Sequence, residues 1–177
     1  CDKSLILRYN LAPFSTIQNE PSYVLEQPNV EHNIIARVLH VRFGDKNLVA
    51  MTREESTKLG RNTVANPTHY FSNQYGSDTT IELYPAPSEV NDVVVHVALK
   101  PNRSANLVDE ILYNSWADAI LAGALTRICK TPNQPFTDIR FATAMGESFA
   151  SKIAQARNES YYGRVRGNLS VTMRPFA

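Results

Sequence analysis

The chain has 177 residues, of which 43% are hydrophobic, 20% charged and 9% aromatic, enough for one domain with a proper core. Its 18 Lys and Arg almost cancel its 17 Asp and Glu, so no bulk charge points to nucleic acid. The longest unbroken apolar run, Ala119 to Leu125, is far short of the roughly 20 residues that span a bilayer, which excludes a membrane-spanning helix.

The opening "CDKSLILRYN" carries no initiator Met and no signal-peptide pattern, which leaves upstream removal or a start inside a longer protein open. "LILRYN" and "SYVLEQ" are strand-like. From Ile34 to Thr52, two β-branched runs flank Gly44-Asp45-Lys46-Asn47, a hairpin signal. Thr52 with Glu55 three residues on is a capping box, and Gly60 is a suitable stop, so a short helix is expected over 53–59. "THYFSNQY" and "TTIELYP" read as a second hairpin across Gly76-Ser77-Asp78. In "VVVHVALK", Val93, Val95, Val97 and Leu99 face one way, which closes a β-rich part over residues 1–101.

After Pro101 the period changes. Asn106 with Asp109 three residues later suggests an N-cap, and a helix is expected from there to about Lys130. Tyr113, Ala117, Ile120, Leu121, Ala124 and Ile128 make one apolar stripe on it. Val108, Ile111, Leu112, Ala119, Ala122 and Cys129 make a second, roughly opposite. A helix apolar on two sides must be covered on two sides. A second helix is expected from Thr137 or Asp138 to about Tyr161, with Ala142, Met145, Gly146, Phe149, Ile153 and Ala156 on its packing face. The short "KTPNQPFTD" link makes the two antiparallel neighbours over 102–162. One stripe of the first helix is then left for the β-sheet or for another subunit. Residues 163–177 form a tail in which Leu169, Val171 and Met173 alternate with polar residues. Such a tail either remains without fixed structure or adds as a strand to its own sheet or a neighbour's. The whole reads as α+β, a small antiparallel β-sheet or sandwich followed by an antiparallel pair of long helices and an extended C-terminal tail, one structural domain plus the tail.

Chemistry is hard to find. His32, His40, His69 and His96 fall into no metal-ligand spacing, so no metal site and no cofactor is expected. His40 and His96 lie in expected strands and read as surface or pocket-edge residues. No nucleophile elbow or phosphate loop occurs, and Glu54, Glu55, Asp109 and Glu110 suit helix first turns. No catalytic residue is assigned, and the chain is read as a non-enzyme. Cys129 reads as a small core residue. Arg157, Arg164, Arg166 and Arg174 read as a solvated or interface-edge cluster.

Taken in order, "RVLHVRFGDKNLVAMTREE", "IELYPAP", "VVVHVALKP" and "WADAILAGALTRICKTPNQPFTD" resemble the phage head–tail adaptor proteins, also called head-completion or connector proteins. The match in order and spacing runs from about Ile34 to Tyr162. Members usually carry helical sequence before the β-part, whereas this chain enters strand-like segments almost at once. The resemblance implies a structural virion protein at the head–tail junction, made in the host bacterial cytoplasm. It implies a homo-oligomeric ring, commonly of twelve copies, joining the portal protein to a tail nozzle or tube protein, with passive contact to DNA in the channel and no membrane. Leu169, Val171, Met173, Arg174, Pro175 and Phe176 are the expected contacts to a neighbouring subunit or the portal. The competing reading is a β-sandwich recognition module, carbohydrate-binding for example, that uses Tyr70, Phe71 and Tyr75.

Overall fold

A computed structural model describes residues 4–28, 31–58, 63–75 and 78–163. The fold is α+β, as the periodicities predict. One sheet contains β1 (Arg8–Asn10), β2 (Phe14–Ser15), β4 (Asn33–Phe43), β5 (Lys46–Asn47) and β11 (Asp92–Pro101), in the order β1-β11-β4-β5 with β2 also on β11. The other contains β3 (Ser22–Leu25), β6 (Val49–Ala50), β8 (His69–Tyr75) and β9 (Asp78–Tyr84), in the order β3-β9-β8-β6. A separate short pair joins β7 (Val64–Ala65) to β10 (Ala86–Pro87). The helices are α1 (Arg53–Lys58), α2 (Glu110–Ile128) and α3 (Ile139–Tyr162).

The ladders of both sheets are antiparallel, as expected, except that the two-residue pairs β6–β8 and, outside the two sheets, β10–β7 run parallel. The reason lies at the first hairpin. Gly44, at φ +54, makes a turn that an L side chain resists, and β5 pairs back on β4 for only two residues, Arg42↔Asn47 and Phe43↔Lys46. The second β-branched run then leaves. Leu48 still donates its N–H to the Val41 carbonyl, but Val49 and Ala50 pair with His69 and Tyr70 in the other sheet. One run of chain thus stitches the two sheets together.

The core lies between the sheets. Val93, Val95, Val97 and Leu99 of β11 are all buried, facing Leu25, Tyr70, Ile81 and Leu83 from the second sheet within one apolar cluster. Each such side chain contributes about 1.5–3 kcal/mol by leaving water. Strand β4 is longer than simple alternation allows. Its register steps from His96↔His40 to Val97↔Val38, and from Ala98↔Arg37 to Leu99↔Ile35, so Leu39 and Ala36 are the extra residues of two bulges. Because of them Ile35, Val38, Val41 and Phe43 all point inward, although their spacing is not two throughout.

The capping box at α1 is present in both directions. The Glu55 carboxylate accepts from the Thr52 N–H at 2.7 Å, and Thr52 Oγ1 accepts from the Glu55 N–H at 3.4 Å. These bonds to Thr52, its backbone N–H first, hold the Glu55 carboxyl below its ordinary pKa. The stop at Gly60 lies outside the described residues. Helix α2 begins later than the sequence predicts. Its N-cap is Asp109, whose side chain accepts from the Ile111 N–H at 3.0 Å, so Asn106 lies ahead of the helix. A carboxylate at the cap also complements the helix dipole, which an amide does not. Asp138 caps α3 in the same way, accepting from Phe141 N–H at 2.9 Å. Between the helices, Asn133 takes φ +59 and the Asp138 N–H donates to the Cys129 carbonyl at 3.1 Å, closing a tight antiparallel return.

The helix pair seats on the chain's first segment. Trp116, Ala119 and Ala156 form a small cluster with Ile6 and Ile111. Ser160 Oγ donates to the Leu5 carbonyl at 2.8 Å and accepts from Arg8 Nε at 3.2 Å. Leu5 stands at φ +53, a conformation that costs a non-glycine residue roughly 1–2 kcal/mol, so the contact fixes a strained turn.

Candidate interaction surface

Helix α2 is apolar nearly all round, and only one side of it is covered. Leu112, Trp116, Ala119, Ala122 and the following Cys129 are buried, Leu112 in the main core cluster and Trp116 and Ala119 with Ala156 of α3 and Ile6. This is the second stripe of the sequence reading with Trp116 added and Val108 removed, since Val108 precedes the helix and is 55% exposed. The first stripe is bare: Tyr113 is 74% exposed, Leu121 58%, Ile120 55% and Ile128 49%. With Ala117 and Ala124 these residues make a continuous apolar arc along the helix. An exposed patch of this kind on a single chain marks a contact surface.

The arc runs into a groove of about 670 Å³ between α2, α3 and the first segment, whose walls include Ile6, Ile120, Gly123, Ile128, Phe149 and Ile153. Gly123 opens it. A Cβ there would come within 3.0 Å of the Phe149 ring, so the glycine lets the ring lie directly on the backbone of α2. Gly146 faces Thr126 across the same helix pair, at an ordinary 3.5 Å for an added Cβ. Trp116, in the groove wall, is 7% exposed, and its indole Nε1 is buried without a hydrogen-bond partner. At the edge of the pair, Lys152 Nζ lies 3.5 Å from Asp118 Oδ2 with Asp118 largely in solvent, a contact worth little. Sequence reasoning placed Trp116 in neither stripe, though its spacing of four from Leu112 and three from Ala119 was the available signal.

The other residues singled out by sequence fall as follows. Leu169, Val171, Met173, Arg174, Pro175 and Phe176 lie outside the described residues, as do Arg164 and Arg166. His40 and His96 are direct cross-strand partners on the outer side of the first sheet, half-buried, with ring centroids 5.8 Å apart and His40 Nε2 2.9 Å from Asn47 Oδ1. Among the described residues no group of three or more His, Cys, Asp or Glu could hold a metal ion, and no helix is long and apolar enough to cross a membrane. Cys129 is a buried free thiol.

Of the aromatics suited to a recognition module, Tyr70 is in the core at 4% exposure, where burial raises its hydroxyl pKa. Phe71 is half-buried in a polar cleft of about 490 Å³ between α1 and the second sheet, beside Arg53, Asn73, Glu82 and Tyr84. There the Tyr84 hydroxyl donates to Glu82 Oε2 at 2.5 Å. No protein-family model matches this chain, and no curated protein matches it.

Proposed function

We propose that this chain is a structural virion protein, a head-to-tail adaptor whose copies form a ring between the portal of a DNA-filled phage capsid and the tail. One observation carries the reading: the bare apolar arc of α2, continuous with the groove beside Phe149. A helix whose two long sides are both apolar needs a second cover, and a neighbouring copy in a closed ring supplies one to every subunit. The ordered motifs from Ile34 to Tyr162 support the same assignment, and their resemblance sets the expected ring at twelve copies. The competing carbohydrate-binding reading has less to stand on, since Tyr70 is buried and Phe71 is only partly accessible in the cleft beside α1.

Native mass spectrometry and negative-stain imaging, with and without portal protein, test the proposal. A closed ring of about a dozen copies that binds portal supports it. A monomer at every concentration, indifferent to portal, overturns it.

A further inference from the structure

A net charge of +1 hides a local concentration of cations on the outer side of the first sheet. Val93, Val95, Val97 and Leu99 of β11 are buried in the core, so Val94, His96, Ala98 and Lys100 face outward, and the register carries that side to the neighbouring strands. Arg8 of β1 and Arg37 of β4 flank Ala98 from its two sides. Asn10 and His40 flank His96 in the same way, and Arg42 stands opposite Val94. Arg8, Arg37 and Arg42 are exposed, while Lys100, His40 and His96 are half-buried. Among the described residues at these outward strand positions the acid is Asp92, at the end of the face, where it accepts from Ser15 Oγ at 2.8 Å.

Neighbouring strands lie about 4.8 Å apart, so Arg8 and Arg37 stand roughly 10 Å from each other across β11. From Lys100 to Val94, the level of Arg42, the face runs about 20 Å along the strand. The charges are thus spread over an oblong area rather than gathered at one point, which suits a row of phosphates better than a single anion. Asn10 adds an amide among them, and Arg8 is anchored at the rim by its Nε bond to Ser160 Oγ at 3.2 Å. Two other polyanionic partners fit less well. A single nucleic-acid strand stacks its bases on aromatic rings, and none of these outward positions holds Phe, Tyr or Trp. A lipid surface calls for exposed large apolar side chains, and Tyr113, Ile120 and Leu121 offer those on α2 instead.

We propose that the outer side of the first sheet, through Arg8, Arg37, Arg42 and Lys100, binds the phosphate backbone of duplex DNA without reading its sequence. The resemblance to adaptors implies only passive contact with DNA in a channel; this assignment names the side chains and an affinity that belongs to the chain itself. It does not rest on the adaptor reading, because the face is complete on one chain and its loss leaves ring formation untouched.

Fluorescence anisotropy of the full chain with a labelled duplex of arbitrary sequence, about 20 base pairs long, tests it. With one phosphate at each of these four cations, log K should fall with log salt at a slope of about −3.6. Arg37→Gln combined with Arg42→Gln is expected to weaken binding roughly tenfold or more at about 50 mM salt and to reduce the slope by about 2. Lys130→Gln combined with Arg140→Gln removes the same charge from exposed positions beside the helix–helix turn, and is expected to stay within about threefold with the slope unchanged. Arg37→Lys with Arg42→Lys should keep the slope. Equal losses in the two glutamine pairs overturn the proposal, as does absence of binding at about 50 mM salt. A single strand of the same length binding more tightly than the duplex overturns the choice of duplex. Vesicles of phosphatidylserine that retain the chain as readily as the duplex does overturn the choice of nucleic acid.

Discussion

The helix pair contains a matched test in its two facing glycines. In a helix interior, Gly→Ala gains about 1 kcal/mol from propensity alone. At Gly146 the new Cβ would lie 3.5 Å from Thr126 Cγ2, an ordinary contact, so Gly146→Ala is expected to keep that gain. For a protein of this size the gain raises Tm by about 3 °C. At Gly123 the same Cβ would meet Phe149 at 3.0, 3.2 and 3.4 Å, three ring atoms at once inside normal separation. Overpacking of that kind costs about 1–3 kcal/mol, and a ring 36% exposed has room to give, which puts the cost at the lower end. Gly123→Ala is therefore expected to leave Tm unchanged or to lower it by a few degrees. Thermal melts and urea titrations of both variants read the difference. A double-mutant cycle isolates its cause: with Phe149→Ala as background, Gly123→Ala should recover the gain of about 1 kcal/mol. If Gly123→Ala stabilises the unmodified chain as much as Gly146→Ala does, the close approach of α3 to the backbone of α2 is refuted.

Ile120→Asp with Leu121→Asp places charge on the bare arc and should abolish higher-order assembly, measured by native mass. Single-chain stability by urea titration should change by no more than about 0.5 kcal/mol per site, because both sites are exposed. Trp116→Ala empties the joint between helices and first segment and is expected to cost about 3–5 kcal/mol by urea titration; a loss below 1 kcal/mol would mean that this joint does not hold the helices. Thr52→Ala removes the α1 cap at a cost of about 1 kcal/mol near neutral pH. Glu55 has a folded pKa below its ordinary 4.5, so its stabilising effect is complete above that value and is lost as pH falls through the folded pKa. The cost of Thr52→Ala should accordingly shrink in acid, and a cost that is the same at low pH would refute the role of the charged carboxylate.

Much of the architecture was legible because it rests on local signals. The valines of β11 alternate cleanly, the Thr52–Glu55 pair states its own capping geometry, and the α3 face repeats at three and four. The two-residue strands were not legible, since Val49-Ala50 and Val64-Ala65 acquire partners only through distant neighbours, His69-Tyr70 and Ala86-Pro87. The bulges at Leu39 and Ala36 were hidden for the same reason: an extra residue in one strand shows only when its partner strand is counted beside it. The start of α2 was misplaced because Asn106 and Asp109 both suit a cap, and only three-dimensional geometry chooses between them. Of the candidate surface, the two stripes of α2 were readable from the sequence. Which one stays bare was not, because the cover is supplied partly by Ile6, far away in the chain.

The bond from Ser160 to Leu5 spans 155 positions, and β1 waits for β11 before it has a partner. On a ribosome, residues 5–10 emerge before α2 and α3 and are nevertheless among the last to find their place. The helix pair can form from local contacts as soon as it is made, but its seat on Ile6 is ready only when the opening segment has docked. Until then Trp116 and the bare arc would both be open to other chains. The moment at which the segment around Leu5 and Ile6 meets the helix pair thus decides whether a nascent chain folds onto itself or joins a neighbour too early.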